Sequence, residues 1–344
     1  MLVDAGSGVA ASLPEVEAAA AAAEAAGYDG FNVPETKHDA FVSLALAARA
    51  TDRISLTSSI AVALARNPMS MAVLANDIQL ISGGRFRLGV GSQVRPHIER
   101  RFAMPWSHPA ARMEEFVAAM RAIWHSWATG ERLAFRGTFY QHTLMTDFFN
   151  PGPNPDGNPP VLLAAVGEQM TKVAGRVADG LLCHSFTTEA YLRERTIPAL
   201  RAARGSLDGF ELSLPVFVVI GSDDDSRAAA EAGVREQIAF YGSTPAYRPV
   251  LDLHGWGELH EKLNLLSRRQ EWAAMGSLIS DGVLNEFAVT GDSQQVTAAI
   301  KRRFGDIISR VSLYMPYQAD PVAVAAVTAA LRAASPGSSP KPAR

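Results

Sequence analysis

Residues 54–91, ISLTSSIAVALARNPMSMAVLANDIQLISGGRFRLGVG, read as strand, turn, helix, turn, strand. Ile54–Ile60 is apolar and β-branched enough for a strand. Asn67 supplies an N-cap and Pro68 fills the first helical position. Met71, Leu74, Ala75 and Ile78 then recur at helical spacing. Ser82-Gly83-Gly84 ends the helix, because glycine adopts the left-handed residue that a C-terminus needs. Phe86–Val90 is a second strand, closed by Gly91. Two strands joined through a helix lie parallel with a right-handed crossover, so the unit predicts an α/β fold.

The same alternation extends in both directions. Leu2–Asp4 ends in the turn Gly6-Ser7-Gly8, and Ser12-Leu13-Pro14-Glu15 spells a capping box for an alanine-rich helix. Gly30–Val33 follows, then a helix from about Phe41 to Ala50. Beyond Gly91, strands are predicted at Val161–Ala165, Gly180–His184, Ser213–Ile220 and Ser309–Tyr314, with helices after each, including one over Glu189–Arg204. Eight β/α steps predict a single (β/α)8 TIM barrel over residues 1–333. Two stretches break the rhythm: 129–160, with a hairpin expected at Arg132–Met145, and 242–285. Both are expected to be insertions. Residues 334–344 are expected to form a disordered tail.

Bulk composition narrows the function classes. Of 344 residues, 48% are hydrophobic and 19% charged, with a net charge of −3, which argues against nucleic-acid and anionic-membrane partners. Cys183 is the only cysteine, so no internal disulfide and no all-cysteine metal site is possible. No signal-peptide pattern opens the chain, and a cytoplasmic protein with a small-molecule substrate is expected.

In a barrel, chemistry sits at the C-terminal ends of the strands. Reading those ends gives Asp4, Glu35, Ser59–Ile60, Gly91–Gln93, Val166–Gly167, His184, Gly221 and Tyr314. No HxH or HExxH spacing supports a metal, and no GxSxG elbow supports a serine nucleophile. GVGS at 89–92 is either half of a dinucleotide fingerprint or a tight turn. Val166-Gly167 before a helix is either an anion seat or an ordinary strand-to-helix turn, with Lys172 and Arg176 one and two turns on. Such a mouth suits a bulky phosphorylated cofactor that carries the chemistry itself.

GFNVPETKHD (30–39), TSSIAVALARNPMSMA (57–72), SGGRFRLGVGSQVRPHIERRF (82–102), MPWSHPAARMEE (104–115) and LLAAVGEQMTKVAGRVADG (162–180) together resemble the luciferase-like monooxygenase superfamily. Within it they are most similar to the coenzyme F420-dependent oxidoreductases of the actinobacterial type. That resemblance implies hydride exchange between coenzyme F420 and a small organic substrate. An FMN-dependent monooxygenase using reduced flavin and oxygen is the alternative, and a non-catalytic cofactor-binding barrel the third reading.

The resemblance also implies positions. A non-prolyl cis peptide at Ser59–Ile60 would back the deazaflavin ring, which would lie over Gly89 and Gly91. Ser92, Gln93 and His97 would face the ring or its tail, and Val166 and Gly167 would hold the phosphate. Asp4 joins this cofactor set as a strand-end residue. Glu35 is the first candidate for handling the proton, with His38 and His97 as alternatives. The sugar-phosphate dehydrogenase branch carries an Asp-His pair where Glu35 and Thr36 stand here, and a glutamate where Gln93-Val94 stands. Glucose 6-phosphate is therefore not the implied substrate. Pairing into a homodimer through 40–50 and 68–82 is expected from the same resemblance, with Ala45, Ala47, Ala48, Met71 and Ala75 facing either the partner or the barrel.

Overall fold

A computed structural model describes residues 1–7 and 12–333. Gly8, the last residue of the first expected turn, and the expected tail lie outside them. The eight strands that alternate with helices along the described chain are the eight steps of a (β/α)8 barrel. Spatially the chain divides into two compact units. One comprises Ala5–Cys183 with Glu194–Glu211, the other Met1–Asp4, His184–Arg193 and the chain from Leu212.

In the larger unit, five parallel strands follow in the order Gly30–Val33, Ser55–Ser58, Phe86–Gly91, Val161–Ala165 and Gly180–Cys183. Leu56, Phe86, Leu88 and Leu163 are fully buried, so these strands read as continuous apolar runs, as strands covered on both faces do. The helix Pro68–Ile81 starts as expected, with the Asn67 side chain accepting from Ser70 N–H at 2.9 Å. Gly83 and Gly84 follow it with φ of 59° and 80°. The longest helix, Pro109–Thr129, buries Met113, Phe116, Met120, Ile123 and Trp124 along one stripe. Ala47, Ala48, Met71 and Ala75 are buried within this unit.

Two expectations are refined here. The strand expected over Ile54–Ile60 is interrupted: Ser55–Ser58 ends at a cis peptide between Ser59 and Ile60, and Ala61–Val62 resumes pairing against Val90–Gly91. The expected hairpin is reduced to Phe135–Arg136 against Gln141–His142. Its turn is held by Glu115, whose carboxylate accepts the N–H groups of Thr138, Phe139 and Tyr140 at 2.6–2.9 Å.

In the second unit, Leu2–Asp4 pairs with Arg310–Tyr314, which pairs with Glu211–Val219, all parallel. A further strand, Ala288–Thr290, adds to the far end of Glu211–Val219. Three residues are too few to show a period, so no strand is expected there from spacing. The region 242–285 is helical, with Arg248–Leu253, Gly257–Arg268, Trp272–Gly276 and Asp281–Phe287. The single helix expected over Glu189–Arg204 is three pieces. Glu189–Tyr191 and a π turn at Leu192–Thr196 lead into Ile197–Arg204, in which Pro198 occupies the first turn. Proline lacks the N–H that an uninterrupted helix would use there.

Candidate functional site

The strand ends of the larger unit bring Glu35, Ser59, Ile60, Gly89 and Gly91 together around the cis peptide. Ser59 N–H donates to Val33 O at 2.8 Å, and Glu35 N–H donates to Ile60 O at 3.3 Å, so the peptide is tied on both sides to the end of Gly30–Val33. The neighbouring Ser58 hydroxyl donates to Gly89 O at 2.8 Å and accepts from Gly89 N–H at 3.0 Å. This reciprocal pair locks the two strand ends in register.

Glycine is required at 89 by the protein itself. A Cβ there would stand 1.9 Å from Ser58 O and 2.6 Å from Leu182 Cδ1. At Gly91 a Cβ would meet the Ile60 side chain at 2.9 Å. Gly89 and Gly91 are thus buried and packed against Ser58 and Ile60 beside the cis bond, while Ser59 and Ile60 keep part of their surface open. Beyond Gly91 the chain turns sharply, with Gln93 at φ 60° and its side chain accepting from Val94 N–H at 3.0 Å. The Ser92 hydroxyl donates to Gln93 O at 3.1 Å. Arg101 then reaches back to donate to Thr36 O at 2.6 Å, anchoring the long polar loop to the second strand end.

Glu35 is fully engaged. Its carboxylate accepts from Arg66 Nη1 at 2.8 and 2.9 Å and from Val62 N–H at 2.9 Å. Arg66 Nη2 continues to Asp39 at 2.7 Å, and Asp39 in turn caps the helix Ala40–Arg49 by accepting from Phe41 N–H. Burial works against the Arg66 charge, but the Glu35 and Asp39 carboxylates outweigh it and raise its pKa. His38 and His97 are both exposed. Arg66 and Ser58 were not among the residues the sequence singled out. Both stand inside the stretch 57–72, but their roles arise only because the cis turn brings Arg66 against Glu35 and Ser58 against Gly89.

Val166 and Gly167 close the strand Val161–Ala165 and open the helix Glu168–Val177. Gly167 is the N-cap, and no side chain caps the first turn, whose N–H groups lack acceptors within the helix. An added Cβ on Gly167 would meet no atom within 4 Å, and its φ of −81° is ordinary for any residue. Nothing in the protein requires a glycine here, and the open space lies at the positive end of a helix. Lys172 and Arg176 do not turn toward it: they pair with Glu168 at 2.5 Å and with Glu114 at 2.7 Å.

Asp4 is held elsewhere. In the second unit it forms a bidentate pair with Arg310 at 2.5 and 2.8 Å, and both side chains are almost wholly buried. A carboxylate so paired has little capacity left for a ligand. The larger unit contains a part-buried ion pair between Arg87 and Glu211.

The architecture has many relatives. An uncharacterized protein of Mycobacterium tuberculosis is 51% identical over 297 residues, spanning 85% of this chain and 87% of its own. An F420-dependent glucose-6-phosphate dehydrogenase of Beutenbergia cavernae is 32% identical over 195 residues, 55% of each chain. Among solved structures, the coenzyme F420-dependent tetrahydromethanopterin reductase of Methanopyrus kandleri matches with a TM-score of 0.76 at 18% identity, over 95% of this chain and 96% of that one. That match shows a shared fold. A family model described as luciferase-like monooxygenase matches residues 2–309. The chain belongs to the luciferase-like monooxygenase family.

Proposed function

We propose that this protein is an oxidoreductase that exchanges a hydride between coenzyme F420 and a small organic substrate. The observation that carries the reading is the bare helix start at Gly167, where a side chain would fit but none is present. An uncapped N-terminus of this kind favours a phosphate, through free N–H groups and the helix dipole. The part-exposed Ser59 and Ile60, packed on the buried Gly89 and Gly91, would offer a face to a flat ring system. The F420-dependent relatives add support from outside the chain.

Coenzyme F420, when bound, supplies a carbon that accepts or gives up the hydride. Val166, Gly167 and the first turn of Glu168–Val177 would hold its phosphate, and Ser59, Ile60, Gly89 and Gly91 would back its ring. Ser92 and Gln93, at the turn beyond the glycines, would border it. Glu35 acts as a positioning residue in this reading: through Arg66 and Val62 N–H it fixes the segment that carries the cis peptide. The proton is left to His97 or His38, whose exposed rings are free to exchange it with solvent.

Fluorescence titration of the protein with F420 and, separately, with FMN tests the assignment. Micromolar F420 binding with weak FMN binding is expected. Tight FMN binding with oxygen consumption, and no F420 binding, would replace this reading with a flavin monooxygenase.

A further inference from the structure

The second unit contains a cluster that no step above uses. The His184 ring stands edge-on to Tyr241, with centroids 4.6 Å apart at 82°, and lies tilted against Tyr247, also at 4.6 Å. The Tyr241 and Tyr314 hydroxyls are 3.1 Å apart, and Phe217 stacks on Tyr314 at 4.9 Å. These residues come from separate elements. His184 directly follows a strand, Tyr314 ends one, Tyr241 lies near the end of the helix Asp224–Gly242, and Tyr247 closes a 3-10 turn. Strand C-termini are where barrels carry working groups.

The hydrogen-bond inventory of the cluster is incomplete in an informative way. His184 Nδ1 accepts from Phe186 N–H at 3.0 Å, so in the neutral ring the proton is assigned to Nε2. Burial pushes the His184 pKa down to about 4, which keeps the ring neutral near pH 7. Of the two hydrogens on the Tyr241–Tyr314 pair, one lies between the oxygens and the other is left over. Tyr247 is kept protonated as well, since burial and the neighbouring Tyr241 push its pKa up to about 12. His184 Nε2–H and the Tyr247 hydroxyl have no partner among the described residues, and all four side chains keep part of their surface open. No charged side chain hydrogen-bonds to any of them there.

We propose that His184, Tyr241, Tyr247 and Tyr314 form a binding subsite for the oxygen of a neutral, ring-bearing carbonyl or alcohol compound. A carbonyl oxygen offers two acceptor sites, which His184 Nε2–H and a tyrosine hydroxyl satisfy, while the aromatic faces flank the ring. A phosphate or carboxylate is disfavoured, because the cluster offers no cation to offset its desolvation. The inference rests on the function proposed above only for what is then done to the bound oxygen. Binding itself needs no cofactor.

The test uses the full chain without cofactor, with cyclohexanone and cyclohexyl phosphate as probes, followed by saturation-transfer NMR and calorimetry. Cyclohexanone is expected to bind and cyclohexyl phosphate to bind much more weakly. His184→Phe and Tyr247→Phe are each expected to weaken cyclohexanone about tenfold, the worth of one hydrogen bond. If His184→Phe fails to fold, Tyr247→Phe, which removes a single hydroxyl, still decides. Equal cyclohexanone affinity in the variants, or phosphate binding as tight as ketone binding, overturns the subsite. A parallel F420 titration separates the two proposals. Cyclohexanone held through His184 with no F420 binding leaves the subsite standing and overturns the cofactor reading. F420 binding with variant-independent cyclohexanone affinity does the reverse.

Discussion

The Glu35 carboxylate accepts both of its close hydrogen bonds from the Arg66 side chain through a single nitrogen, Nη1, at 2.8 and 2.9 Å. With Val62 N–H also directed at it, the carboxylate is tied to the chain just beyond Ile60. The family resemblance made it the first candidate for the proton, because it stands where the sugar-phosphate dehydrogenase branch carries an Asp-His pair. The fold gives it a cation as a constant partner.

Glu35→Gln removes the charge that offsets a largely buried guanidinium. It should cost about 2 kcal/mol of stability, since one partner of a part-buried pair is lost while Asp39 remains. Urea unfolding measures the loss. The pH profile of turnover should keep its shape, whereas His97→Ala or His38→Ala should lower turnover. A missing limb in Glu35→Gln at unchanged stability would return the proton to Glu35.

Two glycines should respond in opposite ways. Gly167→Ala places a methyl in open space, so its melting temperature should stay close to that of the wild type, while F420 affinity falls about tenfold if a phosphate occupies that space. Gly89→Ala forces a Cβ onto Ser58 O, a backbone atom that has no room to yield. That variant should lose well over about 3 kcal/mol or fail to accumulate. Thermal melts and a cofactor titration distinguish the two effects.

Glu24 accepts from the N–H groups of Asp52, Arg53 and Ile54 at 2.6–3.1 Å, organising the entry to the strand Ser55–Ser58. Burial works to raise its pKa, but the three N–H groups and Arg53 outweigh it and lower it below the ordinary 4.5. A depressed folded pKa contributes stability that is present above the unfolded value and is lost as pH falls through the folded one. Wild-type urea midpoints should therefore fall below about pH 4.5 more steeply than those of Glu24→Gln, which should start about 2 kcal/mol lower at pH 7.

For His184 the sign is reversed in chemistry but not in direction. Its folded pKa of about 4 lies below the ordinary 6.5, so the unfolded chain binds a proton that the folded chain refuses. Stability falls as pH drops from about 6.5 to 4, by at most about 3 kcal/mol, and is unaffected by this group above pH 7. His184→Phe should flatten the stability profile across that window, as measured by chemical denaturation at half-unit steps of pH.

Period and punctuation were sufficient for the scaffold. Asn67-Pro68 and Ser12–Glu15 begin helices in the structure as their side chains require, because capping is a contact between near neighbours. The eight strands follow from the same local signals, apart from the break at Ser59–Ile60, where only the family resemblance indicated a cis bond. No helix among the described residues is long and apolar enough to cross a membrane. Tertiary structure decided which charges are free. Asp4 and Arg310 are 306 positions apart, and Glu35 and Arg66 are 31 apart. No spacing rule links such residues, because they meet only when strands lie side by side. His184, Tyr241, Tyr247 and Tyr314 became a cluster for the same reason: each comes from a different element, and their rings are neighbours only in the folded chain.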